Sequence, residues 1–444
     1  MTHTLNSQQK AALDLVLKGK SVFLTGPGGV GKSFLVHSIT KELEQRGRRV
    51  AVTALTGCAA LLLGNGAKTI HSWAGIGLGR DPSSKIIAGI TKYNFPARKR
   101  WMCTDVLIID EVSMLTPELL EKLNDVAMAI RRKANTFGGL QVIFTGDFYQ
   151  LPPVYTNEER PSNEFAFESP IWKDLGLETI VLTEIMRQRD PVFHKVLDEA
   201  RNGSLSDESL QILATCKDKE WQSLKVRPTL LFSRRAEVDM INQQNIRALK
   251  GTPVTYSAHT VFDATLVKGL TEKSENVQKA IIKLDRSAPY KTELDLRIGA
   301  QVMLIHNLDP EKGLVNGSRG VIEGFTESVQ KYPIVYFQSV GKTVVIEEAT
   351  WECEDLEGVK RSQIPLILAY AVTIHKCQGA TLDSALIDIG SNTFEVGQAY
   401  VALSRVKSLE SLYVFDLDRD AFKAHKKVVE FYRALQSPVA LQTS

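Results

Sequence analysis

Short apolar runs ending in a polar tip recur through the first part of the chain, and most are followed by residues at helical spacing. SVFLTG (21–26) leads into SFLVHSITKELEQRG, and RRVAVTAL, TDVLIID (104–110), LQVIFTGD (140–147) and ETIVLTE (178–184) follow in turn. Apolar runs of this length suit strands buried on both faces, and strands separated by helices suit a parallel sheet. The segment GIGLGRDPSSKIIAGITKYNFPARKR, between Gly75 and Trp101, breaks the alternation and predicts a small protrusion at 75–100. A second α/β unit starts at VRPTLLFSRRAEVDMINQQNIRAL and resumes at PLILAYAV, SALIDIG (384–390), the helix-like EVGQAYVALSRV and SLYVFDL (411–417). Between its halves GAQVMLIHN, SRGVIEGF, YPIVYF and KTVVIEE read as short strands joined by Gly, Asn and Pro turns, the pattern of a small β-barrel. The pattern therefore predicts an α/β protein with a first unit over 1–185, a second over 186–250 and 363–435, and a β insertion over 251–362.

Composition narrows the class without naming a function. The 444 residues are 43% hydrophobic and 24% charged, as in a soluble globular protein of more than one domain. No apolar run approaches the roughly 18–20 residues that span a bilayer. The opening MTHTLNSQQK lacks the basic-then-apolar pattern of a signal peptide, so a cytoplasmic protein of bacterial or phage origin is expected, with a nuclear one left open. A net charge of +3 neither demands nor excludes a nucleic-acid partner. Cys58, Cys103, Cys216, Cys353 and Cys377 are far apart with no C-x-x-C pair, which predicts reduced thiols and no zinc site.

Chemistry enters with GPGGVGKS, Gly26 to Ser33, lying between a predicted strand and a predicted helix. Gly26, Pro27, Gly28, Gly29, Val30 and Gly31 would curl backbone N–H groups around phosphates at a helix N-terminus. Lys32 would reach the β- and γ-phosphates of ATP, and Ser33 would ligate Mg²⁺. In LIIDEVSM, Asp110 would hold the same Mg²⁺ and Glu111 would act as general base for a water attacking the γ-phosphate. In FTGDFYQLPPV, Gln150 sits at another strand tip, where it would bond the γ-phosphate or the attacking water, or else lie in a plain surface turn. Arg187 in LTEIMRQ and Arg405 in AYVALSRV are candidates to neutralise charge on the γ-phosphate. For single-stranded nucleic acid, His71 with Trp73, Phe148 with Tyr149, and His375 with Lys376 offer cations and stacking faces at strand ends. Trp73 fits a core position equally well, and PARKR (96–100) fits a solvated surface as well as a DNA contact.

In this order the segments LNSQQ, GPGGVGKS, IIDEVSM, GDFYQLPPV, LTEIMRQ and ALSRV resemble the motifs of superfamily-one DNA helicases, most closely the Pif-one family of the RecD-like branch. DPVFHKVLDEARNG (190–203) resembles that family's signature. The resemblance implies two RecA-like P-loop domains, a wedge that splits duplexes at 75–100 and the small barrel at 251–362. It implies an ATP- and Mg²⁺-dependent enzyme, monomeric on DNA, that translocates 5′→3′ on single-stranded DNA. Unwinding of forked or structured DNA would serve replication, repair, recombination and telomere maintenance; translocation without strand separation is the alternative. Gln9 would read the adenine. Thr56 and Gly57 in TALTGCAA, His71 and Trp73 in KTIHSWAG, Phe148 and Pro152, and Asn316 and Arg319 in VNGSRGVIEGF would face DNA. TIHKCQGATLD would join both sites, with Thr373, His375 and Lys376 towards DNA and Gln378 and Gly379 towards nucleotide. Val30 and Cys377 depart from the residues common at their positions, which leaves no essential role for the thiol.

Overall fold

The structure is a computed structural model. It describes residues 4–436, apart from 65, 154, 156–160, 189, 233, 264, 268, 310, 311, 354, 355, 357, 391, 392 and 394, so Val154 of the GDFYQLPPV motif lies outside the described residues. The chain forms two compact units, the first comprising Met1–Leu205, Glu395–Val401 and Phe422–Ser444, and the second Ser206–Phe394 and Ala402–Ala421. The first unit thus runs on past 185, and it recovers two later segments that the apolar pattern assigned to the second.

The first unit is built on a six-stranded sheet. Its strands are β1 (Val22–Thr25), β2 (Val50–Ala54), β3 (Lys68–Thr69), β4 (Val106–Asp110), β5 (Gln141–Gly146) and β6 (Glu178–Val181), in the order β3-β2-β4-β5-β1-β6. All neighbours pair in parallel. Although β1, β4 and β5 are buried throughout, their side chains still alternate between two cores, as the pleat requires. Val22, Leu24, Val106, Ile108 and Ile143 meet the helices Ser7–Leu17 and Lys32–Gln45 on one face. Phe23, Leu107, Ile109, Val142 and Phe144 meet Trp172, the helix Pro117–Arg131 and the helix Lys426–Gln436 on the other.

The segment expected to protrude is instead two helices, Ser83–Tyr93 and Phe95–Cys103, separated by Asn94, whose side chain accepts from Ala97 N at 3.1 Å. Their inner positions Ile86, Ile90, Ala97 and Trp101 join the second of those cores, while Tyr93 and Phe95 remain exposed. Burying Trp101 completely is worth roughly 3 kcal/mol, enough to hold a short helix pair down.

The second unit carries a parallel sheet in which Thr229–Phe232 lies between Ala371–Thr373 and Ala385–Ile389, with Leu412–Leu417 at the edge. The inserted segment forms three small antiparallel sheets, of two, five and three strands, rather than a single continuous run of strands. Leu366–Leu368, beyond the expected boundary at 362, closes the edge of the five-stranded sheet. The helix Glu275–Ser287 was not foreseen; it packs Val277, Ala280 and Ile281 into a satellite core with Val359. Among the described residues no helix is long and apolar enough to cross a membrane, and no group of three or more His, Cys, Asp or Glu could hold a metal.

Candidate nucleotide and nucleic-acid sites

The tips of β1, β4 and β5 gather the predicted nucleotide residues in the first unit. After β1 the backbone turns at Gly26 with φ 144°, and a Cβ there would lie 2.2 Å from Leu182 O, so no larger residue fits. The loop enters the helix Lys32–Gln45 through Gly31, an N-cap in the left-handed region at φ 82° with no side-chain cap. The Lys32 ammonium folds back onto its own loop, donating to Gly26 O at 2.7 Å and Pro27 O at 2.9 Å. Burial lowers its pKa, against the pull of Asp147, Glu111 and Asp110. Gly28 N donates to the Tyr400 hydroxyl at 2.8 Å. The segment ending in Arg187 lies across the loop, with Met186 N and Arg187 N donating to Gly29 O at 2.9 and 3.2 Å. A Cβ on Gly29 would come within 2.7 Å of Arg187 Cβ, which explains glycine at that position.

Asp110 ends β4, and Glu111 follows it in the left-handed region at φ 57°, a conformation that non-glycine residues seldom adopt and that often marks a working site. Both are buried. Burial, and then the neighbouring Glu111, push the Asp110 carboxyl up to about 7. Two acids this close in a dry place disfavour a second negative charge unless a cation joins them. Gln9 is also buried: its Nε2 is 3.5 Å from Val30 O and its Oε1 accepts from Asn6 N, so it touches the phosphate loop while capping its own helix.

Beside these residues lies a network that the motifs alone did not reveal. Asp147, fully buried at the tip of β5, accepts two hydrogen bonds from Arg201, at 2.9 Å from Nε and 2.8 Å from Nη2. Burial alone would lower the Arg201 pKa, and the Asp147 carboxylate outweighs it, so the guanidinium stays charged. Arg201 also lies 4.3 Å from the centre of the Tyr149 ring. Gln150, buried as well, begins where its backbone N donates to Asp147 O at 2.9 Å. The signature helix Pro191–Asn202 thereby reaches the Gln150 turn through Arg201.

Several residues expected to face DNA are placed otherwise. Trp73 is 4% exposed and meets Trp101 edge-on at 4.5 Å, so it is a core residue rather than a stacking platform. Phe148, 2% exposed, sits among Phe23, Phe165, Phe167, Trp172 and Phe431, which removes it as a platform too. Pro152 is buried beside it in sequence. His71 is part-buried, and that burial lowers its pKa, which disfavours a charge that could meet a phosphate. Arg319 is 1% exposed; its Nη1 donates to Ser384 O and Oγ at 3.0 and 2.7 Å, tying the inserted sheet to the end of TIHKCQGATLD rather than reaching out to DNA.

Thr56 caps the helix Gly57–Leu63 by accepting from Ala59 N, with both Thr56 and Gly57 part-exposed. Asn316 is part-exposed, and its N donates to Asn307 Oδ1. Thr373 is buried and caps the helix Ile374–Cys377, whose His375 is part-exposed and whose Lys376 is exposed. Cys377 is 1% exposed, in keeping with a packing role. Gln378 is buried and Gly379 exposed. Within the second unit Arg405 is buried and donates to Cys377 O, Ala380 O and Ser404 Oγ, so it fastens the turn that carries Gln378.

These arrangements have counterparts among known proteins. The family model described as "PIF1-like helicase" matches residues 4–211, and that of the "DNA helicase Pif1, 2B domain" matches 283–325, inside the inserted sheets. The ATP-dependent DNA helicase PIF1 of Homo sapiens is 38% identical over 97% of this chain and 64% of its own length. This chain therefore spans a little under two thirds of that curated relative. The crystal structure of Pif1 helicase from Candida albicans aligns with TM-score 0.79 and 38% identity, over 98% of this chain and 100% of the other. That of Bacteroides sp Pif1 in complex with ADP-AlF4 aligns with TM-score 0.78 and 28% identity, over 98% and 97%. Likeness of this extent, running through both units and the inserted sheets, shows that the chain belongs to the PIF1-like helicase family.

Proposed function

We propose that the chain is an ATP-driven 5′→3′ DNA helicase that moves along single-stranded DNA and separates forked or structured duplexes. The observation that carries this reading is the gathering of Lys32, Asp110, Glu111 and Gln150 at the tips of neighbouring parallel strands, where a bound triphosphate and its water would meet all four. The human relative is an ATP-dependent DNA helicase and the Bacteroides relative binds ADP-AlF4, which supports the same chemistry here.

ATP entering the loop displaces the Lys32 ammonium from Gly26 O and Pro27 O, and the ammonium then faces phosphate oxygens instead. Glu111, set beside Asp110 by its left-handed backbone, takes the proton of the attacking water. Gln150 orients that water, and Arg187, already laid over Gly29, adds positive charge near the phosphates. The buried Asp110 carboxylate and the Ser33 hydroxyl fit a hard divalent cation, and they would hold Mg²⁺, which supplies charge neutralisation on the phosphates when bound. Exposed Lys376 and part-exposed His375, Thr56, Gly57 and Asn316 are the remaining candidates for DNA contact. The expected working form is a monomer on DNA.

Glu111→Gln should lower single-stranded-DNA-stimulated ATP hydrolysis by about 10²–10⁴-fold while nucleotide still binds. Near wild-type turnover in that variant would remove Glu111 as the base. Unwinding of 5′-tailed against 3′-tailed duplexes tests the polarity, and ATP hydrolysis without strand separation on either would leave a translocase.

A further inference from the structure

We propose that Tyr432, on the helix Lys426–Gln436, is a positioning residue for ATP hydrolysis: its hydroxyl sets the Gln150 turn against the phosphate loop. This rests on the reading of Lys32, Glu111 and Gln150 as the hydrolytic groups. Tyr432 lies in the first unit, 5% exposed, beneath the loop rather than in it.

The Tyr432 hydroxyl is 2.6 Å from Thr25 Oγ1, accepts from Phe148 N at 3.2 Å and donates to Asp147 Oδ1 at 3.3 Å. A phenol has one proton and two lone pairs. With its proton on Asp147, it accepts from both Phe148 N and the Thr25 hydroxyl, and its capacity is filled. Each partner stands at the foot of a working element. Thr25 is the last residue of β1, directly before Gly26 of the phosphate loop. Asp147 and Phe148 begin the turn to Gln150, which Asp147 builds by accepting from Tyr149 N through Oδ1 at 3.2 Å and from Gln150 N through its carbonyl at 2.9 Å. One hydroxyl therefore fixes the spacing between the loop that would hold the γ-phosphate and the turn that would hold its water.

The surroundings keep that hydroxyl in place and make it separable from the fold. The Tyr432 ring stacks on Tyr149 with centroids 4.9 Å apart and planes 19° from parallel. Arg201 stands over both rings, 4.3 Å from the centre of Tyr149 and 5.3 Å from that of Tyr432, while its guanidinium holds Asp147. The helix is fastened independently, with Val428 in the core and Phe431 stacked on Phe167 at 4.2 Å. Tyr432→Phe thus removes the bridge and leaves the docking.

The test compares steady-state ATP hydrolysis on single-stranded DNA for the wild type, Tyr432→Phe, Gln150→Ala and the double variant, with Lys32→Ala as the control for the reading itself. Tyr432→Phe should lower kcat by about tenfold or more, because small displacements of reacting groups are costly, with KM for ATP within about twofold. In the Gln150→Ala background the same change should cost less than about twofold, since the turn then has nothing to position. Thr25→Val removes the other end of the bridge and should repeat the kcat loss, which keeps the test open if Tyr432→Phe folds poorly. Unchanged kcat in Tyr432→Phe, or a full loss persisting without Gln150, overturns the proposal. Hydrolysis that survives Lys32→Ala overturns instead the reading beneath it.

Discussion

At the scale of single residues, charge in a dry place decides most of what this site can do. Asp110 has its carboxyl raised to about 7 by burial and by Glu111. The folded state therefore holds that proton more tightly than the unfolded chain, so the stabilising contribution is full at low pH and is lost as pH rises towards the folded value. Two outcomes follow from this sign. Without nucleotide or metal, Asp110→Asn should raise the melting temperature most at pH 8, less at pH 5 and least below the unfolded carboxyl's 3.8, as read by thermal unfolding. On the proposed reading, in which Asp110 would hold Mg²⁺, the ion would displace the same proton, so its binding to the wild type should strengthen from pH 6 to pH 7 and level off above, with proton release measurable by calorimetry in buffers of different ionisation enthalpy. Arg201 presents the opposite case, a buried cation already paired. Arg201→Ala leaves Asp147 buried without its partner and should cost about 3–5 kcal/mol in a denaturant titration.

The residue scale is also where the sequence misleads. Trp73, Phe148 and Arg319 are chemically suited to DNA and stand at strand ends, yet all three are buried. Local spacing shows that an aromatic residue lies near a sheet edge, but not which side of the backbone is already covered. Trp73 is covered by Trp101 and Phe148 by Phe431, and neither neighbour is close in sequence.

At the scale of elements the sequence is far more legible. β1, β4 and β5 lie where their apolar runs predict, because a parallel strand covered on both faces has no other composition open to it. The helix Glu275–Ser287 was missed because its inner positions are few and lie in a charged sequence. The helix Lys426–Gln436 was not foreseen either, although Val428, Phe431, Tyr432 and Leu435 recur at spacings of three and four. Phe193, Val196, Leu197 and Ala200 form a similar stripe on the signature helix and set Arg201 beside it. Trp101 is the largest of the side chains that the paired helices at 83–103 bury. Trp101→Ala should cost about 3–5 kcal/mol, while Tyr93→Ala, on the exposed side, should leave the denaturant midpoint unchanged.

For the whole molecule the governing fact is connectivity. The chain leaves the first unit after Leu205, returns for Glu395–Val401, and returns again from Phe422 onward. Those returns supply Tyr400, which accepts from Gly28 N, and Tyr432, which meets Thr25. A chain ended after Ala421 should therefore lose ATP hydrolysis together with the near-ultraviolet dichroism of its aromatic core, even with every motif from Gln9 to Arg405 present. Motif order in the sequence gives no hint of this dependence, because a hydrogen bond across 407 positions leaves no local trace.

The hydrogen bond between Thr25 and Tyr432 also bears on how the protein is made. On the ribosome Thr25 and the glycine-rich loop after it emerge first, and the phenol that meets Thr25 emerges only after the whole second unit has been synthesised. The nascent first unit must wait with Phe148 and Trp172 uncovered by Phe431, a sticky surface held open while the second unit is made. Synthesis of this chain thus has a window of vulnerability set by topology, in which a chaperone that shields aromatic surface has its greatest effect on yield.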